Sequence, residues 1–154
     1  MKAAYLDTTA LVKLYGSEPG SEWLRGLMLG PDAPAVLISR LALVEATCAL
    51  ARLGTQGELS AADRAQVLLA LEHDAAHRFI VLDMLTRVMQ TAQGLANRHP
   101  LRTPGSIQLA TAWLANREIV QAGLPPLTFL CADSALLEVA RTEGLVVDDP
   151  SSHP

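Results

Sequence analysis

Five short apolar runs, separated by stretches of helical spacing, constrain this chain more than any other feature. Ala3 to Leu6, Ala35 to Ile38, Phe79 to Leu82, Leu127 to Cys131 and Leu145 to Val147 read as brief strands. Between them, apolar side chains recur at helical spacing over Ser21 to Leu29, Arg40 to Leu53, Ser60 to about His77, Met84 to Asn97, Thr103 to about Ala122 and Asp133 to about Thr142. Strands separated by helices imply a parallel sheet covered on both faces, which is an α/β fold. Helix ends carry their own signals. Thr8 or Thr9 can cap a helix bearing Leu11, Val12 and Leu14, and Ser39 can cap the one from Arg40. Thr103-Pro104 reads as a cap followed by proline at the first helical position, while Gly54 and Gly144 suit C-terminal caps.

The length of 154 residues suggests one domain over 1–148, with 149–154 as a frayed tail. Half of the residues are hydrophobic and only 4% are aromatic, so Leu, Val and Ala must build most of the core. The net charge of −4 means that a nucleic-acid role needs a local cationic patch. An acidic balance also suits a basic partner protein. Cys48 and Cys131 both lie in apolar runs, which favours buried free thiols over a disulfide or a zinc site. The four histidines show no metal-ligand spacing and read as surface residues. No charged-then-apolar leader and no apolar run near ~18 residues is seen. The expectation is a soluble, cytoplasmic protein with no membrane segment.

The chemistry lies with three acids. Asp7 ends the first apolar run and sits beside a helix start, which in α/β sheets is where ligands bind. Asp133 repeats the pattern after Leu130-Cys131-Ala132. Helix capping is the competing account of both. Glu45 stands alone in Leu41-Ala42-Leu43-Val44-Glu45-Ala46-Thr47-Cys48-Ala49-Leu50, a single charge over three helical turns. A buried carboxylate needs a partner, so the competing account is a salt bridge to an arginine. Three hard oxygen ligands converging on one sheet edge would suit Mg²⁺ or Mn²⁺, ions that serve phosphodiester hydrolysis.

These residues also carry a resemblance. Tyr5-Leu6-Asp7-Thr8-Thr9-Ala10-Leu11-Val12-Lys13-Leu14, Ser39-Arg40-Leu41-Ala42-Leu43-Val44-Glu45, Leu101-Arg102-Thr103-Pro104 with Ile107-Gln108-Leu109-Ala110-Thr111-Ala112, and Phe129-Leu130-Cys131-Ala132-Asp133 follow one another as in PIN-domain proteins. The chain resembles the VapC-type toxins of toxin–antitoxin pairs in particular. That resemblance implies a PIN-like fold, a short parallel sheet of four to five strands flanked by helices. It implies a Mg²⁺- or Mn²⁺-dependent endoribonuclease, a cognate antitoxin, and a homodimer. Asp7, Glu45 and Asp133 would be its catalytic and metal-binding acids.

One position departs from the family pattern. Where the family usually has an aspartate, at the start of the helix after Leu-Arg-Thr-Pro, this chain has Gly105 followed by Ser106. The implied enzyme is attenuated, and the alternative is a non-catalytic PIN module that binds RNA or an antitoxin-like partner. Ser106 and Gln108 can make hydrogen bonds but are poorer Mg²⁺ ligands than a carboxylate. Thr8 and Ser134 adjoin the acids and either orient them or simply cap helices. Arg102 and Lys13 are candidate cations for an RNA backbone, with Lys13 more simply a solvated charge. The helices over Ser21 to Leu29 and Arg40 to Leu53 carry apolar surface expected to bury an antitoxin segment or a second copy of the chain.

Overall fold

The computed structural model describes residues 2–153. Five parallel strands form one sheet: β1 (Ala3–Leu6), β2 (Ala35–Ser39), β3 (Phe79–Leu82), β4 (Thr128–Leu130) and β5 (Val146–Asp148). Their order across the sheet is β3-β2-β1-β4-β5. Among the described residues seven α-helices accompany them: α1 (Thr8–Leu11), α2 (Ser21–Leu29), α3 (Arg40–Thr55), α4 (Ala61–His77), α5 (Thr86–Arg98), α6 (Thr103–Gln121) and α7 (Ser134–Thr142). This is the α/β architecture with a five-strand parallel sheet that the sequence predicts.

Each strand sorts its side chains by alternation. Tyr5, Leu37 and Phe129 point to one face, where Val88, Leu95, Leu109 and Leu136 from α5, α6 and α7 cover them. Ala4, Leu6, Val36, Ile38 and Leu130 point to the other, against Leu11, Leu24, Ala42 and Leu71 from α1 to α4. Tyr5 and Phe129 stack with ring centroids 5.7 Å apart, one of the few aromatic contacts in a core of small aliphatic residues. The chain builds outward from β1 through β2 to β3, then returns to place β4 on the other side of β1. The strand order therefore reverses between β1 and β4, and a crevice opens at their carboxyl ends. Leu6 pairs with Leu130 in that register, and the Asp7 N–H donates to the Leu130 carbonyl at 3.1 Å.

Several local readings are corrected. The cap of α1 is Asp7, whose side chain accepts from the Ala10 N–H, and not Thr8 or Thr9. Those threonines have tertiary partners that capping would deny them. Helix α6 begins at Thr103 with Arg102 as its cap residue and no side-chain cap bond. Helix α3 runs to Thr55, and Gly57 rather than Gly54 adopts the left-handed conformation beyond it, at φ 76°. Cys48 is exposed, because it sits on the outer face of α3, while Cys131 is buried.

The segment expected to fray is instead held. Pro150–Ser152 form a 3₁₀ turn with Pro150 buried, and His153 stacks on Trp23 at 3.8 Å while bonding Asp148. Gly20 (φ 84°) makes this possible, since a Cβ there would fall 2.0 Å from the Pro150 carbonyl oxygen. Pro154 lies outside the described residues. His99 is half-buried against Glu143, so it and His153 are not free surface residues. Among the described residues no helix is long and apolar enough to cross a membrane.

Candidate metal and nucleic-acid site

The crevice at the reversal of strand order is lined by Asp7, Thr8, Thr9, Glu45, Arg102, Gly105, Gln108 and Asp133, around a cavity of about 340 Å³. Asp7 and Asp133 reach it from the ends of neighbouring strands. Glu45 reaches it from α3, whose start is fixed by the Ser39 hydroxyl accepting from the Ala42 N–H. Arg102 is exposed at the start of α6.

Asp7 is only 3% exposed. Burial pushes its carboxyl up to about 6, against hydrogen bonds from Thr9 and the Ala10 N–H that favour the charged form, and the neighbouring charge of Glu45 adds to the rise. Both of those hydrogen bonds fall on Oδ1, at 2.7 and 3.0 Å. Glu45 is half-buried and has no arginine partner among the described residues. Its Oε1 accepts from the Thr8 hydroxyl at 2.8 Å and from the Gln108 amide at 2.8 Å. Asp133 is exposed, and its Oδ1 accepts from the N–H groups of Ala135 and Leu136 at the start of α7.

Each acid thus has one oxygen held by hydroxyl, amide or backbone donors, and the Asp7 carboxyl also has the Cys131 thiol beside it as a donor. No side-chain polar atom among the described residues is buried without a partner. The chemistry of the donor set, three carboxylates bordering one cavity, is that of ligands to a hard divalent cation. As they stand, no three His, Cys, Asp or Glu side chains among the described residues are gathered closely enough to hold an ion.

The surroundings differ from expectation at several residues. Thr8 turns to Glu45, while Thr9 donates to Asp7 and accepts from the Ala132 N–H at 2.8 Å, tying the two strand ends together. Lys13 is buried and committed to Glu18 and the Pro19 carbonyl, both at 3.1 Å, so it is neither a solvated charge nor a contact for RNA. Ser106 is turned back to the Thr103 carbonyl. Gly105 borders the cavity, and a Cβ on it would meet Leu136 at 3.6 Å, an ordinary contact. Gln108 does far more than its reading as a poor ligand allowed, since it touches Tyr5, Ser39, Thr8 and Glu45. The signal was present: one side-chain amide inside Ile107-Gln108-Leu109-Ala110 must find partners if its helix is buried.

The chain matches the PIN domain family model over residues 4–123. No curated protein matches it in sequence. Solved structures with a similar fold include a toxin–antitoxin complex from Klebsiella pneumoniae, 18% identical with a TM-score of 0.61, covering 96% of this chain and 97% of that one. VapBC2 from Rickettsia felis, bound to a DNA fragment from its promoter, is 14% identical with a TM-score of 0.66 and coverage of 96% and 98%. FitAcB from Neisseria gonorrhoeae is 18% identical with a TM-score of 0.63 and coverage of 96% and 97%.

Proposed function

Because the chain belongs to the PIN-domain family, we propose that it is a Mg²⁺- or Mn²⁺-dependent endoribonuclease acting as the toxin of a toxin–antitoxin pair, attenuated by glycine at position 105. The supporting observation is that Asp7, Glu45 and Asp133 border one cavity. A divalent ion held there would supply activation of water and neutralisation of charge developing on a phosphodiester. Asp7, Glu45 and Asp133 would hold it, and Thr8, Thr9 and Gln108 keep the first two acids in place. Arg102 at the mouth offers a cation to the RNA backbone, as an acidic chain requires.

The partner expected is a cognate antitoxin, as in the toxin–antitoxin complexes that share the fold. Leu27 and Leu29 on α2 and Val44 on α3 are exposed. Apolar grooves of about 600 and 500 Å³ flank the contact of α3 with α4. Such surface suits an antitoxin segment or the second copy of a homodimer. A cytoplasmic location and a single PIN domain over 1–148 complete the reading. The test is cleavage of RNA by purified protein with Mg²⁺, Mn²⁺ or EDTA. Cleavage with either ion and none with EDTA is expected, and cleavage indifferent to EDTA overturns the reading. Gly105 favours a second reading, a non-catalytic module that binds RNA or an antitoxin-like partner. Uptake of Mn²⁺ without cleavage would select it.

A further inference from the structure

We propose that Gln108 is a positioning residue of this site: Tyr5 and Ser39 set the direction of its amide, and the amide holds Glu45 with its charge available to a cation. This rests on the divalent-ion reading above. An amide has two unlike ends, a carbonyl that only accepts and an NH₂ that only donates, so which way it faces decides what it does. Here the surroundings decide. The Tyr5 phenol donates to Gln108 Oε1 at 2.6 Å and the Ser39 hydroxyl donates to it at 3.0 Å. Ser39 is already the acceptor for the Ala42 N–H, which leaves its own proton for the amide. Two donors fill the carbonyl end. The NH₂ end then has two protons and meets two acceptors, Glu45 Oε1 at 2.8 Å and Thr8 Oγ1 at 3.0 Å. Thr8, having accepted, donates to the same Glu45 oxygen at 2.8 Å. Turning the amide over would set a carbonyl against a carboxylate and an NH₂ against two hydroxyl donors.

The choice of an amide has an electrostatic meaning. An arginine in this place would orient Glu45 equally well but would neutralise it. Gln108 and Thr8 are neutral, so they fix one oxygen and leave the charge uncompensated within the protein. That is what a cation ligand requires, and partners that orient ligands in this way govern affinity without touching the ion. Gln108 also lies three residues after Gly105 on α6, on the same side of the helix. The helix that lacks an acid at position 105 still serves the site through the next turn.

The experiment is a double-mutant cycle on Mn²⁺ affinity, measured by calorimetry on the full chain, with thermal melting alongside. Gln108→Met should weaken Mn²⁺ binding by about tenfold or more. Tyr5→Phe, which removes a hydroxyl bonded to Gln108 and to none of the three acids, should weaken it by less, and should add nothing in the Gln108→Met background. Additive losses, or unchanged affinity in Gln108→Met, overturn the positioning role and leave the metal reading standing. If Gln108→Met does not fold, Gln108→Asn, an amide one methylene short of Glu45, takes its place with the same outcomes. If the wild-type chain takes up no Mn²⁺, the metal reading fails on its own. The positioning role is then decided by NMR relaxation of the Glu45 side chain, which must lose order in Gln108→Met, and unchanged order overturns it.

Discussion

Asp7 and Asp133 follow adjacent strands of one sheet and cap the helices that come next, yet they live in different electrical surroundings. Asp7 is buried, its carboxyl is pushed up to about 6, and it receives a threonine hydroxyl besides the helix N–H. Asp133 stands in solvent with two backbone N–H groups on one oxygen. The local chemistry is nearly the same, since an aspartate after a strand caps a helix in both. What differs is the covering. β1 lies between β2 and β4 at the centre of the sheet, and the Glu45 charge on α3 and the Thr9 bridge to β4 close over its end. Capping is decided by neighbours in the chain, whereas the state of the charge is decided by neighbours in space.

The largest test of this contrast is to neutralise each acid in turn. Asp7→Asn keeps an oxygen for Thr9 and the Ala10 N–H but removes the charge. RNA cleavage should fall by roughly a hundredfold or more, in line with loss of a metal ligand. Asp133→Asn should lose less, because its charge is already screened by water. Equal losses in a cleavage assay would erase the distinction.

Next in size is the pH dependence of stability. The Asp7 carboxyl sits at about 6 in the fold against an ordinary value of 3.8. Between those values the folded chain binds the extra proton, so stability falls as pH rises from about 4 to about 6, by up to about 3 kcal/mol. Without divalent ions, Asp7→Asn should flatten that slope and melt higher than the parent at pH 8. Denaturant titrations across this range would show it. A parent whose stability climbs from pH 4 to 6 by that amount contradicts the assignment to Asp7.

A smaller change should come from Gly105→Asp. The new side chain enters beside the cavity with only an ordinary contact to Leu136. A fourth carboxylate should tighten Mn²⁺ by about tenfold and raise cleavage with it. Calorimetry that finds no gain in a folded variant means that position 105 does not serve the acids. The smallest effect expected is that of Asp133→Ala on the fold. Loss of its cap on α7 should cost about 1 kcal/mol in a melting measurement, while Asp133→Ser should recover most of it.

The outline of the fold was legible because it rests on local signals. Apolar runs such as Phe79 to Leu82 and caps such as Ser39 need no knowledge of distant residues. The three acids that border the cavity could be named as candidates for the same reason, as charges at ends of apolar runs or stranded inside one. What could not be read was set by contacts distant in sequence. Lys13 is the exception, since Glu18 and Pro19 lie only five and six residues on, but a lone lysine gives no sign that the turn after it folds back onto its side chain. Gln108 showed that it needed partners but not which ones, since Tyr5 and Ser39 come from other strands. The tail looked frayed because glycine at position 20 gives no sign of what it admits.

That glycine has a consequence for how the chain can change. Gly20 and the turn at Pro150 occupy one another's space, so neither can be altered freely while the other stays as it is. In a library that randomises both regions, side chains at position 20 should survive only together with a rerouted or shortened turn. Two regions far apart in the sequence would then be selected as one unit, and chimaeras joining the first half of this chain to the last strand of a relative should fail at this contact before any other.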